Sequence, residues 1–222
     1  MSAGVSSNQR IRRGPATYDA RFVARWLRAC AAQIASHRDF LTQLDAAIGD
    51  ADHGANMDRG FAAVLAVVET SNGLGPGELL IQAGSTLVLR VGGAAGPLYG
   101  SAFREAGRSL GSRATFGLVD LTDALGAALD GITSLGAAVE GDKTMVDAWA
   151  PALLALRDAA SSDPKDAFRA ARAAAESGAA ATTPMEARKG RASYLGPRSV
   201  GHQDPGATST ALVVAALEHA AG

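Results

Sequence analysis

Cysteine is nearly absent from this 222-residue chain. The single thiol, Cys30, excludes an intrachain disulfide framework and a multi-thiolate zinc site. Aromatic residues are scarce as well, at 5%, and β-branched runs with strict alternation are hard to find, which weighs against a sheet-based fold. Neither sign of charge dominates: 21 Lys and Arg against 22 Asp and Glu leave a net charge of −1. A general nucleic-acid binder shows a basic surplus, so none is expected here. No apolar run approaches ~18 residues, so no membrane span is expected. Arg10, Arg12 and Arg13 are followed by Gly14-Pro15-Ala16-Thr17 where a signal peptide needs an apolar stretch, which makes the cytoplasm the expected location.

What is abundant points to helices. Alanine, the best helix former, makes up roughly a fifth of the chain. Hydrophobic residues reach 47%, enough for a sizeable core. Residues 1–17 read as a polar arm, and 18–222 as one domain. Phe22, Val23, Trp26, Leu27, Cys30 and Ile34 form one stripe of a first helix over Tyr18–Ser36, and Cys30 on that stripe reads as core. Further helices are expected over Arg38–Ala47, from about Asn56, over Gly77–Val91, from Pro97 to Leu110, over Leu121–Leu135, and over Met145–Ala160 with a kink or late start at Pro151. Asp163-Pro164 is a cap followed by proline at the first helical position, and opens a helix reaching Ala181. A last helix covers Thr208–Ala220. The class is all-α, with about eight helices.

The breaks between helices carry the chemistry. Asp45, Asp50 and Asp52 are spaced D-x4-D-x-D around a glycine-containing turn. Carboxylates folded toward one point repel, so a cation is their natural occupant, and magnesium takes oxygen ligands of this kind. The alternative is an exposed acidic loop using Asp as turn former. His53-Gly54-Ala55-Asn56 opens the next helix, where free N–H groups favour an anion, though His53 can equally be a simple cap. Gly92-Gly93-Ala94-Ala95-Gly96-Pro97 can bring backbone N–H groups close to a phosphate, or serve only tight helix packing. No Gly-Lys-Ser/Thr follows, so it is not a Walker A loop. Lys189 to Gly206 is a long polar stretch with four glycines and two prolines, where Arg188, Lys189, Arg191 and Arg198 concentrate cations. Arginine can clamp a phosphoryl group in transfer, and a solvated basic loop is the plainer reading. Taken together, the inventory suits phosphoryl transfer.

The motifs in combination resemble a known family. Leu44-Asp45-Ala46-Ala47-Ile48-Gly49-Asp50-Ala51-Asp52-His53-Gly54-Ala55-Asn56-Met57 is similar to the signature of the dihydroxyacetone kinase L-subunit, the nucleotide-binding subunit. So are residues 92–100, Gly141-Asp142-Lys143-Thr144-Met145 and residues 189–206, with GHQDPGATS at 201–209, all in the family's order. The resemblance implies an eight-helix antiparallel barrel with a nucleotide at one mouth. It implies that Asp45, Asp50 and Asp52 hold two magnesium ions on the phosphates of ADP or ATP. His53, Gly54, Ala55, Asn56, Ala94 and Ala95 would line the phosphate site. Gly136 and Met145 would lie against the adenine or ribose, although a methionine at a helix start also packs inward as core. Arg191 would reach the transferred phosphoryl, as the catalytic residue, and Asp204, Pro205 and Gly206 would close the site. Family members often carry Ser where this chain has Ala95.

The same resemblance implies a separate K-subunit that carries dihydroxyacetone or another short ketose such as erythrulose. It also implies either ADP recharged by a phosphohistidine protein of the phosphotransferase system, or exchangeable ATP. A regulatory role, with the nucleotide-loaded protein docked on a transcription regulator, uses the same site, and a homodimer stays open. A third reading makes His53 or His202 a phosphocarrier, which leaves the Asp cluster without a task.

Overall fold

The computed structural model describes residues 17–221, so the arm expected over residues 1–17 lies, but for Thr17, outside the described residues. The chain runs through β1 (Tyr18–Asp19), α1 (Ala20–Ser36), α2 (Arg38–Ile48), α3 (His53–Thr70), α4 (Pro76–Arg90), α5 (Ala95–Leu110), β2 (Thr115–Phe116), α6 (Leu118–Gly136), α7 (Val146–Asp158), α8 (Pro164–Ala181), a 3-10 helix over Arg191–Ser199 and α9 (Pro205–Ala220). Tyr18 and Asp19 pair antiparallel with Phe116 and Thr115, a two-residue bridge that nothing in the sequence announces.

Eight of the nine α-helices among the described residues close a ring in the order α1, α3, α4, α5, α6, α7, α8, α9 and back to α1. The remaining helix, α2, follows α1 after His37 alone and packs on α3 and α9. Ring neighbours run antiparallel. The start of α1 meets the end of α9, where Arg25 Nε donates to the Ala220 carbonyl at 2.9 Å. The start of α4 lies against the end of α5, and its middle meets the start of α5 at Gly84 and Gly100. A Cβ on Gly84 would lie 2.6 Å from the Gly100 carbonyl, so only glycine allows these two backbones to approach so closely.

The core fills the ring. Phe22, Trp26, Phe61, Phe103 and Phe168 are almost fully buried. Trp26 packs on Phe103 at 5.4 Å between ring centroids, and Phe103 meets Phe61 edge-on at 6.2 Å. The buried indoles are satisfied: Trp26 Nε1 donates to the Val213 carbonyl and Trp149 Nε1 to that of Leu125, each at 3.0 Å. Cys30 is core as expected, and burial pushes its thiol pKa up.

The differences from the expected boundaries have local causes. Helix α3 starts at His53, three residues before Asn56, because Asp45 accepts the N–H groups of Asp52 and His53 at that start. Helix α5 starts at Ala95, which puts Pro97 third rather than first. Pro151 is accommodated within α7, against Gly178 of α8. Asp163 caps α8 as expected, accepting from Lys165 N at 2.9 Å. Helix α9 starts at Pro205 rather than Thr208, because Asp204 caps it and Pro205 occupies its first position. The polar stretch from Lys189 is ordered as the 3-10 helix, broken at Gly196 where φ is 54°.

Candidate functional site

Four helix starts open onto one cavity of about 310 Å³ at one end of the ring. His53 begins α3, Ala94 and Ala95 begin α5, Met145 and Val146 begin α7, and Pro205 and Gly206 begin α9; all of them line it. Antiparallel alternation produces this: every second helix of the ring starts at the same end. Each start turns the positive end of its dipole toward this end, although in α7 the Val146 N–H already donates to Thr144 Oγ1. The capping follows the same division. Away from the cavity, Asp19 caps α1 and Asp163 caps α8, while Glu78 and Asp120 accept from Gly75 N and Gly117 N ahead of α4 and α6. At the cavity, α3 and α5 start with no side-chain cap. In α3 the His53 N–H is already taken by Asp45, whereas Ala94 and Ala95 bring the start of α5 to the cavity lining. Helix α9 does carry one: Asp204 Oδ2 accepts from Ala207 N at 2.7 Å. Burial pushes the Asp204 carboxyl up to about 7, against the pull of the Ala207 and Gly206 N–H groups and of Lys143.

The carboxylates gather at the end of α2. Asp45 is buried, and its Oδ2 accepts from Asp52 N at 2.8 Å and His53 N at 3.1 Å. These two bonds fold the turn back over the helix, with Ala51 at φ 61°. That conformation costs an L-residue roughly 1–2 kcal/mol, so the turn is held against strain. Asp45, Asp50 and Asp52 each offer one carboxylate oxygen, and the three oxygens lie within 4.8 Å of one another. A hard, all-oxygen donor set on the wall of an open cavity, with space for water and phosphate oxygens, fits magnesium. From the facing segment, Arg191 places Nη2 3.0 Å from Asp50 Oδ2.

His53 closes the inner wall. Its Nε2 lies 2.9 Å from Ser209 Oγ, and the Tyr99 hydroxyl joins the same cluster at 2.8 Å from both Ser209 Oγ and Thr210 Oγ1. Burial lowers the His53 pKa, with Asp45 and Asp52 opposing it.

The structure brings together Asp45, Asp50, Asp52, His53, Ala94, Ala95, Gly136, Met145, Arg191, Asp204, Pro205 and Gly206 around this one cavity. Gly54, Ala55 and Asn56 do not line it. A Cβ on Gly54 would meet the Arg38 carbonyl at 2.0 Å, so this glycine lets α3 pack on α2. Asn56 is buried behind the Gly92 turn, and its Oδ1 accepts from Arg59 Nη2 at 2.6 Å. Lining residues to which the sequence assigned no site role include Leu98, Tyr99, Ile132 and Lys143. The first three are indistinguishable in pattern from core positions. Lys143 did carry a signal, as a lone lysine in a glycine-led break.

Residues 47–219 match the DAK2 domain model. The chain belongs to the DAK2 domain family. This DAK2 chain is 43% identical over 201 residues to an Escherichia coli protein described as PEP-dependent dihydroxyacetone kinase, ADP-binding subunit DhaL, spanning 90% of this chain and 96% of the relative. A Lactococcus lactis relative, the PTS-dependent dihydroxyacetone kinase, ADP-binding subunit DhaL, is 39% identical over 193 residues, 86% of this chain and 93% of that one. A D-erythrulose kinase of Mycolicibacterium smegmatis is 37% identical over 197 residues, covering 87% of the DAK2 chain but 34% of the relative. The DAK2 fold superposes on the crystal structure of the dihydroxyacetone kinase from C. freundii in complex with AMP-PNP and Mg2+, with a TM-score of 0.71 and 28% identity. That match takes in 99% of this chain and spans only 37% of the longer protein. No helix among the described residues is long and apolar enough to cross a membrane.

Proposed function

We propose that residues 18–222 form one nucleotide-binding unit, the phosphotransfer subunit of a dihydroxyacetone-type kinase, which passes a phosphoryl group from a magnesium-bound nucleotide to a short ketose on a separate K-subunit. One observation carries this reading: a three-carboxylate cluster and four helix starts meet in a single cavity. Anion and cation sites so placed serve a magnesium-bound polyphosphate and little else.

Asp45, Asp50 and Asp52 would hold the metal, as two ions. Magnesium, when bound, neutralises and orients the phosphates. The residues of this chain do the rest. The start of α5 would donate N–H groups to phosphate oxygens, and the dipole of α3 would add positive potential beside it. Gly136 and Met145 lie against the base or ribose. Arg191, already within reach of Asp50, meets the phosphoryl group as charge spreads over its oxygens, the term that dominates phosphoryl transfer. Asp204, Pro205 and Gly206 wall off the far side of the cavity. The rim next to the cavity carries exposed Leu135, Val139 and Tyr194, the face a K-subunit has to approach.

The relatives named PEP- and PTS-dependent support ADP as the bound nucleotide, recharged by a phosphohistidine protein. The erythrulose kinase relative supports a different short ketose with the same phosphotransfer site, since the acceptor would sit on the K-subunit. Mass spectrometry of nucleotide released from purified, acid-denatured protein, with magnesium kept in every earlier buffer, tests the site. Stoichiometric ADP, or magnesium-dependent ATP binding by an empty protein, supports the reading. A protein that neither retains nor binds nucleotide refutes it.

A further inference from the structure

Lys143 stands outside the roles assigned so far. Its side chain is essentially inaccessible, at 1% exposure, and its backbone sits at φ 61°, a conformation unfavourable for lysine. Lysine is almost never fully buried unless its charge is answered. Its hydrogen bonds all go to backbone carbonyls, with Nζ donating to Met185 O at 3.1 Å, to Ser199 O at 2.7 Å and to His202 O, and the Asp204 carboxyl supplies opposite charge nearby. An ammonium has three protons, and each has an acceptor.

The acceptors fall on both sides of Arg191, with Met185 before it and Ser199 and His202 after it. Ser199 ends the 3-10 helix and His202 follows it. One ammonium therefore ties both roots of a strap over residues 186–201. Supporting bonds run beside it, from Arg188 N to Asp142 O at 3.1 Å, from Ala187 N to Ser199 Oγ at 2.9 Å and from Gly201 N to Thr183 O at 2.8 Å. The strap packs on α2, which ends in the Asp cluster, and Arg191 meets Asp50 there. The loop behind Lys143 is braced in turn by Asp147, which accepts from Gly141 N at 2.6 Å and Thr144 N at 2.8 Å. The Arg191 side chain itself is 69% exposed, so its own packing does not fix it.

We propose that Lys143 is a positioning residue for phosphoryl transfer, setting Arg191 against the carboxylate cluster by clamping both roots of the strap. The inference rests on the phosphotransfer reading above. It follows that Lys143→Met removes the clamp while keeping an unbranched side chain in place. Misplacing a phosphoryl-clamping arginine by about an ångström costs about 10²-fold in turnover.

The test combines two readouts on the full chain. Trypsin cuts after Arg188, Lys189, Arg191 and Arg198, so cleavage within the strap, followed by mass spectrometry, reports how firmly it is held. Lys143→Met should be cut about tenfold faster or more in the strap, with helical circular dichroism retained. In turnover with a ketose-loaded K-subunit, kcat should fall about 10²-fold, while the dissociation constant for magnesium-nucleotide moves less than about threefold. The double variant with Arg191→Ala should lose no more than Arg191→Ala alone, because the two act as one unit. Lys143→Arg, which keeps charge and several donors, should recover to within about tenfold of wild type in both readouts, and it carries the comparison if Lys143→Met does not fold. Wild-type resistance to trypsin in the strap, or losses from Lys143→Met and Arg191→Ala that multiply, would overturn the proposal. A wild-type chain that binds no magnesium-nucleotide overturns the phosphotransfer reading by itself, and the proteolysis comparison still decides whether Lys143 holds the strap.

Discussion

Adding one methyl group at Gly49 tests the carboxylate cluster without replacing any of its three residues. An ideal Cβ there would sit 2.0 Å from Asp45 Oδ1, 2.9 Å from its Cγ and 3.0 Å from its carbonyl oxygen. The carbonyl is fixed, since it accepts from Gly49 N at the end of α2. The carboxylate must therefore swing away, and its bonds from Asp52 N and His53 N break. A hydrogen bond to a charged group contributes about 1.5–3 kcal/mol, so the pair sums to about 3–6 kcal/mol. The displaced carboxylate regains water in the open cavity, which leaves about 2–3 kcal/mol of real loss. At about 2–4 °C per kcal/mol for a chain of this size, Gly49→Ala should melt about 4–12 °C lower by differential scanning calorimetry. It should also bind magnesium-ADP about 10–100-fold more weakly by isothermal titration, the usual cost of disturbing what orients a metal ligand. Gly73→Ala is the control. Gly73 has φ 80° with nothing near its Cβ, so it should lose about 1–2 kcal/mol of stability and no affinity. A Gly49→Ala protein that melts and binds like wild type would refute the account of how Asp45 is held.

Asp50→Ala should abolish magnesium-dependent nucleotide retention and turnover with a K-subunit. It should shift stability by less than about 1 kcal/mol, because its pair with Arg191 is largely solvated; wild-type-like turnover would contradict the metal assignment. Phe103→Ala should cost about 3–5 kcal/mol in denaturant unfolding, since the ring is buried against both Trp26 and Phe61. Tyr99 should stay protonated in the folded chain well above pH 10, because burial raises its pKa from the ordinary 10.0. The sign follows: the unfolded chain releases this proton near pH 10 and the folded chain keeps it, so the stability it contributes is complete below pH 10 and declines above it. Ultraviolet titration of wild type against Tyr99→Phe checks this, and a matching phenolate signal from both proteins before unfolding would contradict it.

The sequence was legible where one period or one residue type decides the outcome. The stripe from Phe22 to Ile34 announced α1, and Asp163-Pro164 announced the start of α8. The carboxylate triad was visible because its members lie within eight residues, so a single turn can gather them. Residues that act across the ring were not visible in this way. Lys143 reaches carbonyls 42 to 59 positions away, and no local pattern encodes such a partner. Tyr99 meets Ser209 and Thr210 more than 100 positions later. Asn56 is expected to line the phosphate site beside His53, but the helical turn carries it behind the Gly92 loop to Arg59. A helix start tells which residues come first, whereas the side each faces depends on neighbours that sequence order does not name.

The meeting of α1 and α9 has a practical corollary. Ring parity puts Ala20 and Ala220 together at the end opposite the cavity, joined there by the Arg25 bond. Both ends of the fold can therefore be extended, tagged or spliced to another polypeptide without crowding the mouth. A short linker between them, with a new opening cut into a loop at the same far end, should yield a circular permutant with its binding face intact. The same placement allows a barrel of this design to be appended to a longer chain by either end and still present its cavity outward.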